Sequence, residues 1–160
     1  MGGDAGKSSP LMRMPVPWVF VIAYLLGIGI QTVVPVSMGS ASWLLLAQIL
    51  GIVMLAAGAT LAVWARLIFH REHTTTVPFE TTTSMVTWGP YRLSRNPMYL
   101  GLFLFFGGIS VALAFFWSVL FLVIVVYYVN SRVIPLEERQ LRRNFPEVYE
   151  RYCVDVRRWV

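Results

Sequence analysis

An all-α integral membrane protein of about four transmembrane helices is the fold class this sequence predicts, and three observations predict it. Of its 160 residues, 57% are hydrophobic and only 13% are charged, about half the charged share of an ordinary soluble domain. Mean hydropathy is +0.65. The apolar residues fall in long runs with few charges, and the polar ones collect between and after them. One compact membrane domain over residues 17–160 is expected, behind a disordered tail at 1–16 rich in Gly, Ser and Pro.

The net charge of +5 comes from arginines with one exception, Lys7. No basic stripe alternates with a soluble fold, so no nucleic-acid partner is expected. Arginines gathered at the cytoplasmic face of a membrane protein account for the charge. The single cysteine, Cys153, allows no internal disulfide, and cysteine spacing gives no metal site. Arg157-Arg158-Trp159-Val160 does not read as a prenylation signal.

The elements follow in order. A helix over residues 17–36 reaches about 30 Å, enough to cross the hydrocarbon core. A signal peptide competes here, because small residues follow at 37–42. Its apolar core would normally run only about 7–15 residues, which favours the spanning helix. Residues 43–69 form the second span. Gly51, Ala56, Ala57, Gly58, Ala59 and Ala62 let a neighbouring helix approach closely in lipid, and Arg66 can snorkel to the interface. His70 and His73, at the end of this span, read as interfacial residues. The polar connection at 70–97 carries two threonine triplets around Pro78, and a loop of this length tends to be functional or disordered.

No charge occurs from residue 98 to 131. As one helix this run would be about 50 Å long, far beyond one crossing, so it must fold back on itself. Spans at 98–114 and 117–134 are expected, with the turn near 113–118. Gly107-Gly108 is an alternative break or a close-packing point. Beyond it, Pro135 marks a break or a helix start, 136–145 reads as an amphipathic helix, and Pro146 suits the first turn of a shorter helix through about 153. The loops at 37–42 and 113–118 hold no lysine or arginine. The positive-inside rule therefore sets the middle connection and both termini in the cytosol.

The densest polar cluster sits at the edge of the third span: Gly89-Pro90-Tyr91, then Arg95-Asn96-Pro97-Met98-Tyr99-Leu100-Gly101. Polar groups at the rim of hydrocarbon cost free energy unless they have partners or a task. Arg95-Asn96-Pro97 alone reads as an interfacial anchor, and Glu137-Glu138 alone as a solvated helix start favoured by the helix dipole. A hairpin of spans three and four brings the two together at one membrane face. An amine-bearing cofactor could then use the acid, its carboxylate the arginine or backbone N–H groups, and its ring the aromatic and aliphatic walls.

With Phe145-Pro146-Glu147-Val148-Tyr149-Glu150-Arg151-Tyr152 following the acidic pair, the set resembles the isoprenylcysteine carboxyl methyltransferases and their relatives among phospholipid N-methyltransferases. The likeness covers roughly residues 76 to 156; the first two spans match only in being apolar. The resemblance implies S-adenosylmethionine as methyl donor, S-adenosylhomocysteine as product and a lipophilic acceptor entering from the bilayer. It implies cofactor contacts from Thr83, Ser84, Met85, Val86, Tyr91, Asn96, Pro97, Met98, Tyr99 and Glu137. It implies catalytic roles for Asn96, Glu137 and Arg132, the last acting on substrate as the nearest match to an arginine that precedes the acidic pair. Two departures stand out: Asn96 replaces a histidine, and Pro146 a glycine. Asparagine keeps a donor and an acceptor but does not titrate near neutral pH.

The expected reaction is methyl transfer to a membrane-embedded acceptor. A carboxylate such as that of a prenylated cysteine is already ionised and needs no base, whereas an amine must be neutral to attack. The lack of an obvious base favours the carboxylate, with a phospholipid amine as the alternative. A nicotinamide-dependent membrane reductase is a more distant reading, although no Gly-rich dinucleotide fingerprint is present. A non-catalytic four-helix scaffold explains the spans equally well, but not the order of Tyr91, Asn96-Pro97, Tyr99 and Glu137.

Overall fold

The structure, a computed structural model, describes residues 16–36, 39–71 and 85–160. Helix α1 runs Val16–Val33 and α2 runs Ala41–Arg71. A 3-10 turn at Gly89–Arg92 precedes α3, Pro97–Ala112. Then come α4, Phe116–Tyr128, a wide π turn at Val129–Val133, α5, Ile134–Asn144, and α6, Pro146–Asp155. Among the described residues there is no strand. Three helical stretches are long and apolar enough to cross a membrane: Val16–Val33, Ser42–Arg71 and Phe116–Asn144. The fourth apolar helix, α3, has 16 residues and rises about 24 Å.

The uncharged run does fold back, and the turn is tight. The amide of Phe115 donates to the Ser110 carbonyl and that of Ala114 to the Val111 carbonyl. That pair of bonds is a Schellman closure, and it requires a left-handed residue at its end. Ala114 takes that conformation, with φ +54°. Gly107-Gly108 is not a break but a contact. A Cβ on Gly108 would lie 2.5 Å from the Leu55 amide nitrogen and 2.6 Å from the Gly51 carbonyl oxygen. A Cβ on Gly58 would meet the Gly101 carbonyl oxygen at 2.6 Å. The two glycine pairs, Gly51 with Gly108 and Gly58 with Gly101, thus let α2 and α3 touch backbone to backbone in antiparallel register. Helix α1 packs on α4 in the same manner, with Gly27 against Ser118. The outward side chains of α2, such as Leu45, Leu46, Ile49 and Ile52, are exposed, as suits lipid contact.

The helical path continues from α4 into α5 through the π turn, closed by the Ile134 amide on the Val129 carbonyl. Pro135 explains the widening. Its ring has no N–H and collides with the carbonyl four residues back, which a local π turn relieves. The apolar part of this helical path ends there, before Glu137-Glu138 begins the polar cap. That cap comprises the 3-10 turn, α5, α6 and the segment after α6. Its core gathers Ala65, Ile68, Val86, Tyr91, Tyr149, Tyr152 and Val156. A second core of Phe20, Val125, Val129 and Ile134 joins α1 to α4 and α5, with Phe103, Phe106 and Trp159 against it.

Candidate active site

Two prolines start the elements that carry the site. Pro97 occupies the first turn of α3, where its missing N–H is harmless, and Pro135 does the same for α5. The start of α3 and the first turn of α5 meet. The Tyr99 hydroxyl donates to Glu137 Oε1 at 2.6 Å. Burial pushes the Glu137 carboxyl up to about 7; the Tyr99 bond partly opposes this and the neighbouring Glu138 adds to it. A carboxyl in this state is partly protonated near neutral pH.

The adjacent acid does different work. Glu138 is buried and takes a two-pronged bond from Arg158, with Nε to Oε1 at 3.1 Å and Nη2 to Oε2 at 2.7 Å. Arg95 Nη2 stands 3.7 Å from the same carboxylate. Arg95 also donates to the Tyr149 hydroxyl and the Cys153 sulfur. Its Nε–H is buried with no acceptor among the described residues, a donor that an anionic ligand group would satisfy.

Asn96 lies beside this network. Its side-chain Nδ2 donates to the Arg158 carbonyl at 3.2 Å, and its backbone N–H donates to Ser94 Oγ. Pro97 is buried and Met98 packs on the cap core, together with Met85 and Val86. Tyr91 belongs to that core. Its carbonyl accepts from the Tyr152 hydroxyl at 2.6 Å, its ring meets Phe69 edge-on, and burial raises its hydroxyl above the ordinary tyrosine value. The structure therefore brings Tyr91, Asn96, Pro97, Met98, Tyr99, Glu137, Met85 and Val86 to one end of the bundle. Thr83 and Ser84 lie outside the described residues. Arg132 is exposed on the π turn, and no hydrogen bond or ion pair joins it to Tyr99 or Glu137 among the described residues.

Sequence reasoning named Glu138 only as half of the acidic pair, and it missed Ser94, Asn130 and the pair Arg158-Trp159. Arg158-Trp159 was read only as the absence of a lipid signal. It is a strap: Trp159 Nε1 donates to Asn130 Oδ1 at 3.2 Å, and its ring lies 5.5 Å from that of Phe103. No local signal marks these residues, because each partner is distant in the chain.

Apolar helices, an arginine-rich polar cap and a part-buried Tyr–Glu pair at the junction define a helical membrane protein with a polar site at one face. The chain belongs to the phospholipid methyltransferase family, whose profile matches residues 46–148, from α2 into α6. A probable protein-S-isoprenylcysteine O-methyltransferase of Oryza sativa subsp. indica is 32% identical over 108 residues, covering 66% of this chain and 56% of that protein. The protein of the same name from Oryza sativa subsp. japonica matches with the same identity and coverage. The chain thus spans little more than half the length of these relatives. No solved structure matches it.

Proposed function

We propose that this protein transfers a methyl group from S-adenosylmethionine to a lipophilic acceptor held in the bilayer, most simply a carboxylate such as that of a prenylated cysteine. The Tyr99–Glu137 bond carries this reading: in a chain of the phospholipid methyltransferase family, it joins the start of α3 to α5 around a partly protonated acid. The residues present fit the cofactor. Glu137 suits its ammonium, the orphaned Arg95 Nε–H suits its carboxylate, and Met85, Val86 and Met98 offer apolar surface to its ring.

When bound, the cofactor supplies a methyl group on a sulfonium, already activated for displacement. The chain's own residues have to bind, orient and exclude water. Glu137 fixes the amine, with Tyr99 holding the carboxylate in place. Asn96 supplies a neutral amide. The aromatic cap core, Tyr91, Tyr149 and Tyr152, keeps water from the junction. Most of the rate enhancement then comes from positioning and from preorganised dipoles. Arg132, exposed at the end of the π turn, is available to an anionic acceptor at the membrane edge. The arginines of the cap and its flanks support an orientation with both termini in the cytosol, where a soluble cofactor is available.

One observation favours a second acceptor. A Glu137 carboxyl, poised at about 7 in the unliganded protein, can take a proton near neutral pH when the cofactor's ammonium is held elsewhere; an amine acceptor requires that step and a carboxylate does not. Phospholipid amine methylation is that reading. Incubating the purified protein with methyl-labelled S-adenosylmethionine and a lipid extract decides between them. A prenylated cysteine added to the extract supplies the first acceptor: label released as methanol by mild base identifies a carboxyl ester, label that stays on the amine headgroup through base treatment identifies the second reading, and no transfer to either refutes both.

A further inference from the structure

The strap after α6 is tied down at consecutive residues. The Arg95 amide donates to the Arg157 carbonyl at 2.9 Å. The Arg158 carbonyl accepts from Ser94 Oγ at 2.9 Å and from Asn96 Nδ2 at 3.2 Å. The Arg158 guanidinium grips Glu138, and the Trp159 indole is fixed by Asn130. Asn130 and Glu138 are eight residues apart and would sit about 80° apart around a regular α-helix. The π turn between them takes up part of that rotation. Both side chains then face the strap, where they hold neighbouring residues.

The decisive chemistry is at Asn96. A backbone carbonyl can only accept, so the amide must turn its nitrogen to Arg158. The Asn96 oxygen is then left for whatever occupies the site. We propose that the strap is a positioning device, and that Arg158 orients the Asn96 amide so that it presents a hydrogen-bond acceptor to an amine-bearing ligand. The ligand's identity rests on the methyl-transfer reading; the strap contact does not. Neutral imidazole also offers one donor and one acceptor, so histidine at this position satisfies the same carbonyl and presents the same face. A carboxylate does not, because it would set two acceptors against each other.

Two measurements test this. The first needs no ligand. The protein is labelled with 5-fluorotryptophan, and the Trp159 fluorine resonance, one of six, is assigned with Trp159→Phe. Asn96→Asp is expected to move that resonance toward its solvent-exposed position, and Asn96→His to leave it in place. An unmoved resonance in Asn96→Asp overturns the strap contact. The second measures calorimetric affinity for S-adenosylhomocysteine in Asn96→Leu, Arg158→Ala and the double variant. Each single variant is expected to lose about tenfold, and the double variant to bind no worse than Asn96→Leu alone, because the strap acts through Asn96. Arg158→Lys, which keeps the charge but not the fork, should fall between Arg158→Ala and the parent and guards against simple misfolding. Losses that add in the double variant show a merely structural strap and overturn the proposal. A parent protein that binds no S-adenosylhomocysteine refutes the cofactor reading instead, while the fluorine measurement still decides the strap.

Discussion

Tyr99 and Glu137, 38 positions apart in the chain, share a hydrogen bond of 2.6 Å, and through it the apolar hairpin closes on its own polar cap. The bond joins the first turn of an apolar, packed helix to the first turn of a polar one. It also sets the acid apart from its neighbour, since Glu138 turns to Arg158 instead.

Removing the acid should remove the ligand. Glu137→Ala is expected to abolish detectable binding of S-adenosylhomocysteine, a loss of at least about a hundredfold for a buried charged contact. Tyr99→Phe, which frees the carboxylate without deleting it, should lose about tenfold. Calorimetry on detergent-solubilised protein checks both, and a Glu137→Ala protein with parental affinity refutes the assignment.

The raised Glu137 value has a definite pH signature. Its folded value of about 7 lies above the ordinary 4.5, so between these values the folded protein holds more proton than the unfolded chain. Stability contributed by this group is full below about 4.5 and falls as pH rises to about 7, by on the order of 2 kcal/mol after allowance for solvent screening. Glu137→Gln should flatten that slope in thermal unfolding. Binding an ammonium beside Glu137 pulls its value back down. S-adenosylhomocysteine should therefore release a proton near pH 7, seen as a binding enthalpy that depends on the buffer's ionisation heat.

Glu138 is a structural partner, and its loss should be read in stability. Glu138→Ala leaves Arg95 and Arg158 without their shared carboxylate and should cost about 3 kcal/mol. Thermal unfolding at two salt concentrations measures this; a shift of under about 1 kcal/mol at low salt would show the network to be incidental.

The glycine contacts between α2 and α3 give a paired test. Gly108→Ala forces a Cβ against the Leu55 backbone and should destabilise by about 1–3 kcal/mol. Gly29→Ala, in α1 with nothing within 4 Å of the added carbon, should be neutral or stabilise by up to about 1 kcal/mol. Equal melting temperatures for the two would contradict the backbone-to-backbone packing.

The hairpin was legible because its signal is a length. An uncharged run that outreaches the bilayer has to double back, and the Schellman turn at Ala114 falls where that length requires. The meeting of Tyr99 with Glu137 followed from the same geometry. The division of labour between Glu137 and Glu138 was not legible. Adjacent acids point in different directions around a helix, and the choice depends on rotational phase, which the π turn resets. The strap was hidden for another reason: Arg158 and Trp159 find partners at Ser94, Asn96 and Asn130, and nothing in the local pattern forecasts such distant pairings. The sequence also offered no base for an amine acceptor; the raised proton affinity that burial gives an unpaired Glu137 is not visible in composition.

The π turn at Val129–Val133 carries one residue more than a regular helix needs. Shortening the chain by one residue inside it would let an ordinary α-turn form while everything downstream kept its bearing toward α3 and the strap. The penalty would be the Pro135 ring pressed against the preceding turn. An equal shortening within α4 would swing both glutamates about 100° away from Tyr99 and Arg158. The extra residue therefore serves as slack, and this stretch is where the chain could lose a residue without unmaking its acid pair.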